Sequence, residues 1–210
     1  MSRQVCKTVY KFSELSDRAK ARARDWYREG FGQDTDWADH TIEDAVRMGE
    51  MMGIHFHTRT IKLMGGGSRQ EPLVYWQLHV QGSGASFSGS YSYKAGSVKA
   101  IETEAPTDTG LHAIVRELRE VQKRYGYALE ARIELRGNSG VHSLCTTIDV
   151  DKVRGPNECV SADLEAPLRA FMDWIYRQLD QEWDYQTSDT TIDECILGNG
   201  YEFDEDGRRA

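Results

Sequence analysis

His55 and His57 stand two residues apart in the run Ile54 to Met64, IHFHTRTIKLM. On an extended strand this spacing sends both imidazoles to one face, which is half of an arrangement that could hold zinc or a similar ion. The other half is missing from the sequence. There is no HExxH motif and no third ligand at a diagnostic spacing. His79 and His142 would complete a composite site only if folding brought them together, so the expectation is a surface histidine pair without a bound metal. The four cysteines, Cys6, Cys145, Cys159 and Cys195, are far apart and form no CxxC pair. Reduced thiols, each buried singly, are expected in place of a structural zinc site.

Nucleophilic chemistry needs an activated Ser or Cys with a histidine base and an orienting acid. Gly82-Ser83-Gly84-Ala85-Ser86 has the outline of such a motif, yet GxSxG itself is absent. A nucleophile elbow also requires a strand-to-helix turn, and this segment lies between two strand-like runs. A phosphate loop is excluded as well, since GxxxxGK[ST] is absent and no helix follows to receive the anion. No catalytic residue and no cofactor are assigned, and the expectation is a protein that is not an enzyme.

The stretch Leu73 to Gly96, LVYWQLHVQGSGASFSGSYSYKAG, is better suited to binding. Two aromatic, β-prone runs, Leu73 to Val80 and Ser86 to Tyr93, flank a glycine–serine connector and predict a β-hairpin. Gly82, Gly84 and Gly89 allow another backbone or a flat ligand to come close. Gln77, Gln81, Ser83 and Ser86, with Ser88 and Ser90, offer neutral donors and acceptors. Trp76 and Tyr91, with Phe87 and Tyr93, add apolar area with polar tips, the mixture found at recognition surfaces. The plainer alternative is a sheet with its aromatic side on helices and its serine side in water.

Charge supplies a second candidate surface. The chain has 26 Lys and Arg against 34 Asp and Glu, a net charge of −8. Ten of the acids fall between Asp180 and Asp206, a segment with no Lys or Arg. Such a run is ordinarily a solvated face. The sharper expectation is a surface that meets a basic partner by imitating nucleic acid, with Asp180, Glu182, Asp184 and Asp189 as its candidate residues. The same charge makes direct nucleic-acid binding a poor expectation. Arg18, Lys20, Arg22, Arg24 and Arg28 stand on the first predicted helix, but Asp17, Asp25 and Glu29 interrupt them, which predicts a solvated face.

The elements that must position these residues can be read from periodicity. A strand is expected over Val5 to Tyr10. A helix capped by Ser13 or Ser16 follows to about Glu29, with Leu15, Ala19, Ala23, Trp26 and Tyr27 on its buried face. A second helix covers Trp37 to Met52. Ile54 to Met64 reads as one strand, Gly65 to Pro72 as a flexible connector, and Val98 to Glu102 as a strand completing a meander. The stripe Leu111, Ile114, Val115, Leu118 and Val121 marks a helix from Asp108 to Tyr125. Strands at Tyr127 to Leu135 and Ser143 to Val150 are joined by a turn through Arg136 to Gly140. A long helix capped by Ser161 then runs to about Asp184, with Pro167 near its first turns, where proline is tolerated. A short helix over Thr190 to Leu197 and an extended Tyr201 to Phe203 close the pattern. The expected class is α+β: a single antiparallel sheet of about six strands with three to four helices packed mainly on one face. One domain over residues 1–210 is expected, with the acidic segment 180–210 part of it. No apolar run reaches the roughly 20 residues of a membrane span. MSRQVCKTVYKF lacks the apolar core of a signal peptide, so a cytoplasmic location is expected.

Three phrases together, FSELSDRAKARARDWYREG, QGSGASFSGSYSYKAG and NGYEFDEDGR, resemble small proteins encoded by bacteriophages and prophages and often labelled antitoxins of toxin–antitoxin stability systems. The resemblance spans most of the chain, and GASFSGSY is its most specific part. It implies a phage accessory protein. Small acidic proteins of that kind act by occupying host proteins or nucleoprotein complexes, CRISPR effectors among them. The leading expectation is therefore an anti-defence inhibitor acting by protein–protein binding in the host cytoplasm. Two alternatives stand beside it: a protein that sequesters a nucleotide signal in the hairpin, and an antitoxin-like or DNA-binding regulator using the arginine helix.

Overall fold

A computed structural model of the protein describes residues 7–32, 35–135, 140–152 and 161–210. The beginning of the strand expected from Val5, the turn residues 136–139, Cys6, Cys159 and the capping side chain of Ser161 lie outside the described residues. In chain order the elements are β1 (Tyr10–Lys11), α1 (Asp17–Phe31), α2 (Asp39–Met52), β2 (Ile54–Phe56), β3 (Thr58–Lys62), β4 (Ser68–Pro72), β5 (Val74–Gln77), β6 (Gly84–Phe87) and β7 (Gly89–Ser92). They continue with α3 (Ser97–Glu104), α4 (Thr109–Arg124), β8 (Leu129–Leu135), β9 (Thr146–Lys152), α5 (Ser161–Gln186), α6 (Asp189–Gly198) and β10 (Glu202–Phe203). The mixed α+β class is thus present. Among the described residues, no helix is long and apolar enough to cross a membrane.

The single sheet of six strands is not. The described strands form one four-stranded antiparallel sheet, in the order β2-β7-β8-β9, and three two-stranded sheets, β1-β10, β3-β4 and β5-β6. The cause lies at two residues where the chain changes partner. His57 interrupts the expected Ile54–Met64 strand, donating its N–H to the Ser88 carbonyl and accepting from the Leu73 N–H. Ser88 interrupts the second hairpin run in the same way, with its N–H on the Leu73 carbonyl. Two further expectations are corrected. Ser68–Pro72 is a strand paired residue for residue with Thr58–Lys62, because its backbone groups find β3 despite its loop-like composition. Val98 to Glu102 is helical, since Gly96 at φ +80° turns the chain into α3 and buries Ile101.

The chain divides into two compact units, one formed by Met1–Asp39 with Gln181–Ala210 and one by His40–Asp180. In the first, Phe12, Leu15, Ala19, Ala23, Ile192, Ile196 and Phe203 form a core, with Tyr10, Trp26, Tyr27 and Tyr201 packed against it. Ser16 caps α1 by accepting from the Ala19 N–H at 3.3 Å, and Ser188 caps α6 by accepting from Thr191. β1 and β10 pair through Tyr10↔Phe203 and Lys11↔Glu202, which ties the two chain segments together. Gly207 runs so close to α1 that a Cβ there would lie 2.0 Å from the Ala19 carbonyl oxygen.

In the second unit the sheet register runs Ile54↔Tyr91 and Tyr91↔Ala131, then Ala131↔Val150. The predicted stripe of α4 is buried throughout, as are Leu168, Phe171, Met172, Ile175 and Leu179 of α5. Asp108 serves two elements: one carboxylate oxygen caps α4 through the Leu111 N–H, the other accepts from the Trp174 indole at 2.7 Å. Phe87 lies between Phe56 and Phe171, with ring centroids at 4.9 and 6.0 Å, so the hairpin run supplies a central core side chain.

Candidate functional site

The glycine–serine hairpin forms as β5-β6, with Val74↔Phe87 at one end and Gln77↔Gly84 at the other. Its turn uses left-handed backbone at His79 and Gly82, and Ser83 locks it, its hydroxyl accepting from the Val80 N–H and donating to the Val80 carbonyl. All four residues of β6 are buried. The Ser86 hydroxyl is paired with the Thr146 hydroxyl of β9, and Gly84 lies directly under His142. Tyr91 is buried as well, and burial pushes its phenol up to about 12. Of the hairpin candidates, Gly84, Ser86 and Tyr91 are therefore covered by protein. Trp76, Gly82 and Ser83 are half-buried, and Gln77 and Gln81 are exposed. Glycine gives close approach here, as its composition implies, but the approaching backbone is the chain's own.

Beneath this turn the sequence reading missed a pair. The Cys145 thiol lies 3.4 Å from His142 Nε2, the two being brought together by the 3-10 turn Ser143–Cys145. Arg169 donates to the carbonyls of Ser143 and Thr146, fixing that turn on α5. A thiol beside an imidazole is the start of nucleophilic chemistry, which also needs an orienting acid on the other ring nitrogen. Among the described residues no carboxylate is hydrogen-bonded to His142. His55 and His57 are both exposed, and His79 lies 3.9 Å from Asp180. Among the described residues no group of three or more His, Cys, Asp or Glu is placed to hold a metal ion.

The acidic candidates separate into two kinds. Asp189 is engaged: Arg24 Nη1 lies 3.1 Å from it, and Arg28 donates to it too. Asp193 takes both forks of Arg24, at 2.6 and 2.5 Å. That bidentate bond, with the charges of Asp193 and Asp189, holds the Arg24 guanidinium above its ordinary value against the opposing effect of burial. Arg28 also donates to the Thr187 carbonyl at 3.0 Å. Arg18 and Arg22 of α1 are exposed as expected, whereas Arg24 and Arg28 of the same helix are thus corrected from a solvated surface to a clamp on α6. Its signal was in the sequence: Arg24 and Arg28 stand four apart, as do Asp189 and Asp193, so two helices present matching pairs. Asp184 remains exposed, Glu182 accepts from Gln186, and Asp180 faces His79. Exposed Glu194 and Glu205 join Asp184 as carboxylates facing water.

A third surface is the β3-β4 hairpin, exposed along nearly all of both strands. Arg59 and Glu71 pair across it, and Gln70 bridges Thr58 and Thr60. Its tip, Leu63 to Gly67, turns on Gly66 and Gly67 at φ +86° and +92° and leaves Met64 fully exposed.

Comparison with curated proteins finds no match, and comparison with solved structures finds none. A family model described as a domain of unknown function, DUF8835, matches residues 37–189, a span that contains the whole His40–Asp180 unit and ends at the first residue of α6. With well over half of its length matched, the chain belongs to the DUF8835 family.

Proposed function

We propose that the protein is a non-enzymatic phage accessory protein that binds a host factor and inhibits or modulates it, the factor being a defence component with a basic surface. One observation supports this reading above the others. The unit formed by the two chain segments holds 10 Lys and Arg against 16 Asp and Glu, net −6, whereas the His40–Asp180 unit holds 16 against 18, net −2. The acidic unit is also preorganised. Arg24 and Arg28 hold α6 through Asp189 and Asp193, so its outer carboxylates sit on a fixed scaffold and lose little freedom when a cationic partner arrives. The resemblance of three segments to phage-encoded proteins favours a host target. A basic, nucleic-acid-handling surface is the chemistry that such a carboxylate face would satisfy.

The test is a defence-interference assay in cells expressing the protein, with the protein also used to capture its target. Asp184→Lys with Glu205→Lys changes two exposed carboxylates and leaves the Arg24–Asp193 clamp untouched. Protection from interference is expected to fall at least about tenfold, as removal of complementary rim charges slows association. Wild-type protection by that variant would overturn the acidic-face reading.

A further inference from the structure

The pair beneath the hairpin turn, Cys145 and His142, has no part in the acidic face. His142 is fixed from several directions. Its carbonyl accepts from the Cys145 N–H at 2.9 Å, and Gly84 of β6 packs against its Cα and Cβ. Arg169 donates to the carbonyls of Ser143 and Thr146, which anchors the turn that follows. The imidazole is thereby presented to the thiol, with 3.4 Å between Nε2 and Sγ. In the tautomer with its hydrogen on Nδ1, Nε2 accepts the thiol proton. Cys195, the other described cysteine, is half-buried like Cys145, but its neighbour is the Tyr27 phenol, which is no base for it.

Beside the sulfur is a gap with a polarity of its own. Gly140 has no side chain, and an atom at the position of its missing Cβ would meet the Gly82 carbonyl oxygen at 3.5 Å, Cys145 Sγ at 3.6 Å and His142 Cδ2 at 3.7 Å. All three are ordinary contact distances, so one small atom fits against acceptor, nucleophile and ring at once. A hydroperoxide matches that set. It has an O–H to donate to the carbonyl, an electrophilic oxygen for the sulfur and a leaving oxygen that needs a proton. We propose that Cys145 is a peroxide-reactive thiol for which His142 is the base. The thiol proton passes to Nε2 as Sγ attacks one peroxide oxygen. The O–O bond breaks, and the departing oxygen takes that proton from Nε2 and leaves as water. The sulfur is oxidised to sulfenic acid and the peroxide is reduced. One proton transfer per chain needs no acid on Nδ1 to orient the ring for repeated turnover, because the backbone contacts already fix it.

The test treats the full chain with hydrogen peroxide in the presence of dimedone, which traps sulfenic acid, and reads each cysteine on its own peptide by mass spectrometry. Cys145 is expected to be trapped at least about tenfold faster than Cys195, the low end of what a positioned base supplies. His142→Gln keeps the Cα and Cβ on which Gly84 rests but removes the base, and trapping at Cys145 should slow by about tenfold or more. A merely structural role for His142 predicts the opposite sign, since a looser cover over the sulfur speeds its reaction. Circular dichroism checks that the variant is folded, and the comparison with Cys195 in the unaltered chain decides the matter without any variant. Trapping at Cys145 no faster than at Cys195, or unchanged or faster in His142→Gln, would overturn the inference. Modification of Cys145 by the bulky disulfide dithiobisnitrobenzoate as fast in the native chain as in urea would overturn the choice of a small oxidant. The defence assay turns on Asp184 and Glu205 in the other compact unit, so the two readings fail separately.

Discussion

At Gly84 the hairpin strand passes so close to His142 that an added Cβ would lie 2.5 Å from both Cα and Cβ of that residue. His142 has little room to retreat, because its carbonyl accepts from the Cys145 N–H and Arg169 fixes the turn that follows. Gly84→Ala must therefore move backbone, and a loss of about 2–4 kcal/mol is expected. The measurement is urea unfolding, where the midpoint should fall while the slope stays constant. Gly65→Ala is the control: nothing lies within 4 Å of the added atom. Its effect should stay within about 0.5 kcal/mol, as for an ordinary surface substitution. The glycines and serines of this segment did announce close approach in the sequence. Composition alone did not say whether a ligand or the protein's own His142 would make that approach, because the packing partner stands 58 positions further on.

Between elements, the arginine clamp joins α1 to α6 and makes a measurable coupling. Arg24 and Asp193 side chains are only 21% and 28% exposed, and their bond is bidentate. A double-mutant cycle with Arg24→Ala and Asp193→Ala should return a coupling of roughly 1–2 kcal/mol, above the value usual for an exposed pair. A coupling near zero would mean that the pair is as weak as a solvated one. Apart from α3, which reads as a strand, the helices were the legible part of this fold. The stripes on α1, α4 and α5 repeat every three or four residues, and burial follows them. Strands were harder, for a physical reason visible at His57 and Ser88. Alternation reports which face a side chain takes, whereas the hydrogen bonds that decide sheet membership are backbone groups without a sequence signature. At these two residues the chain passes from one sheet to another without a break in extended conformation long enough to mark it. Ser68–Pro72 shows the converse: polar residues exposed on both faces carry no alternation, yet their backbone pairs fully with β3.

Across the whole molecule, each compact unit holds a tyrosine whose ionisation is displaced. In the unit formed by the chain ends, Tyr27 is pushed up to about 12, by burial first and then by Cys195 beside it. In the His40–Asp180 unit, Tyr91 is pushed up to about 12 by burial, against a lowering by its hydrogen bond to Gln122. A phenol is neutral when protonated, so a folded-state value above the ordinary 10 means that the native chain holds its proton longer than the unfolded one. The stabilisation is complete below pH 10 and is lost as pH rises through 12. For Tyr91 a two-unit displacement corresponds to about 2–3 kcal/mol of stability lost over that window. Absorbance titration at the phenolate band should therefore show Tyr27 and Tyr91 ionising late, with urea stability falling over the same interval. Tyr91→Phe should remove one late phenol and flatten that part of the stability profile that belongs to the sheet, leaving Tyr27 in place. A Tyr91 phenol titrating near its ordinary value, with stability flat to pH 12, would mean that the sheet does not seal this ring from water as its burial requires.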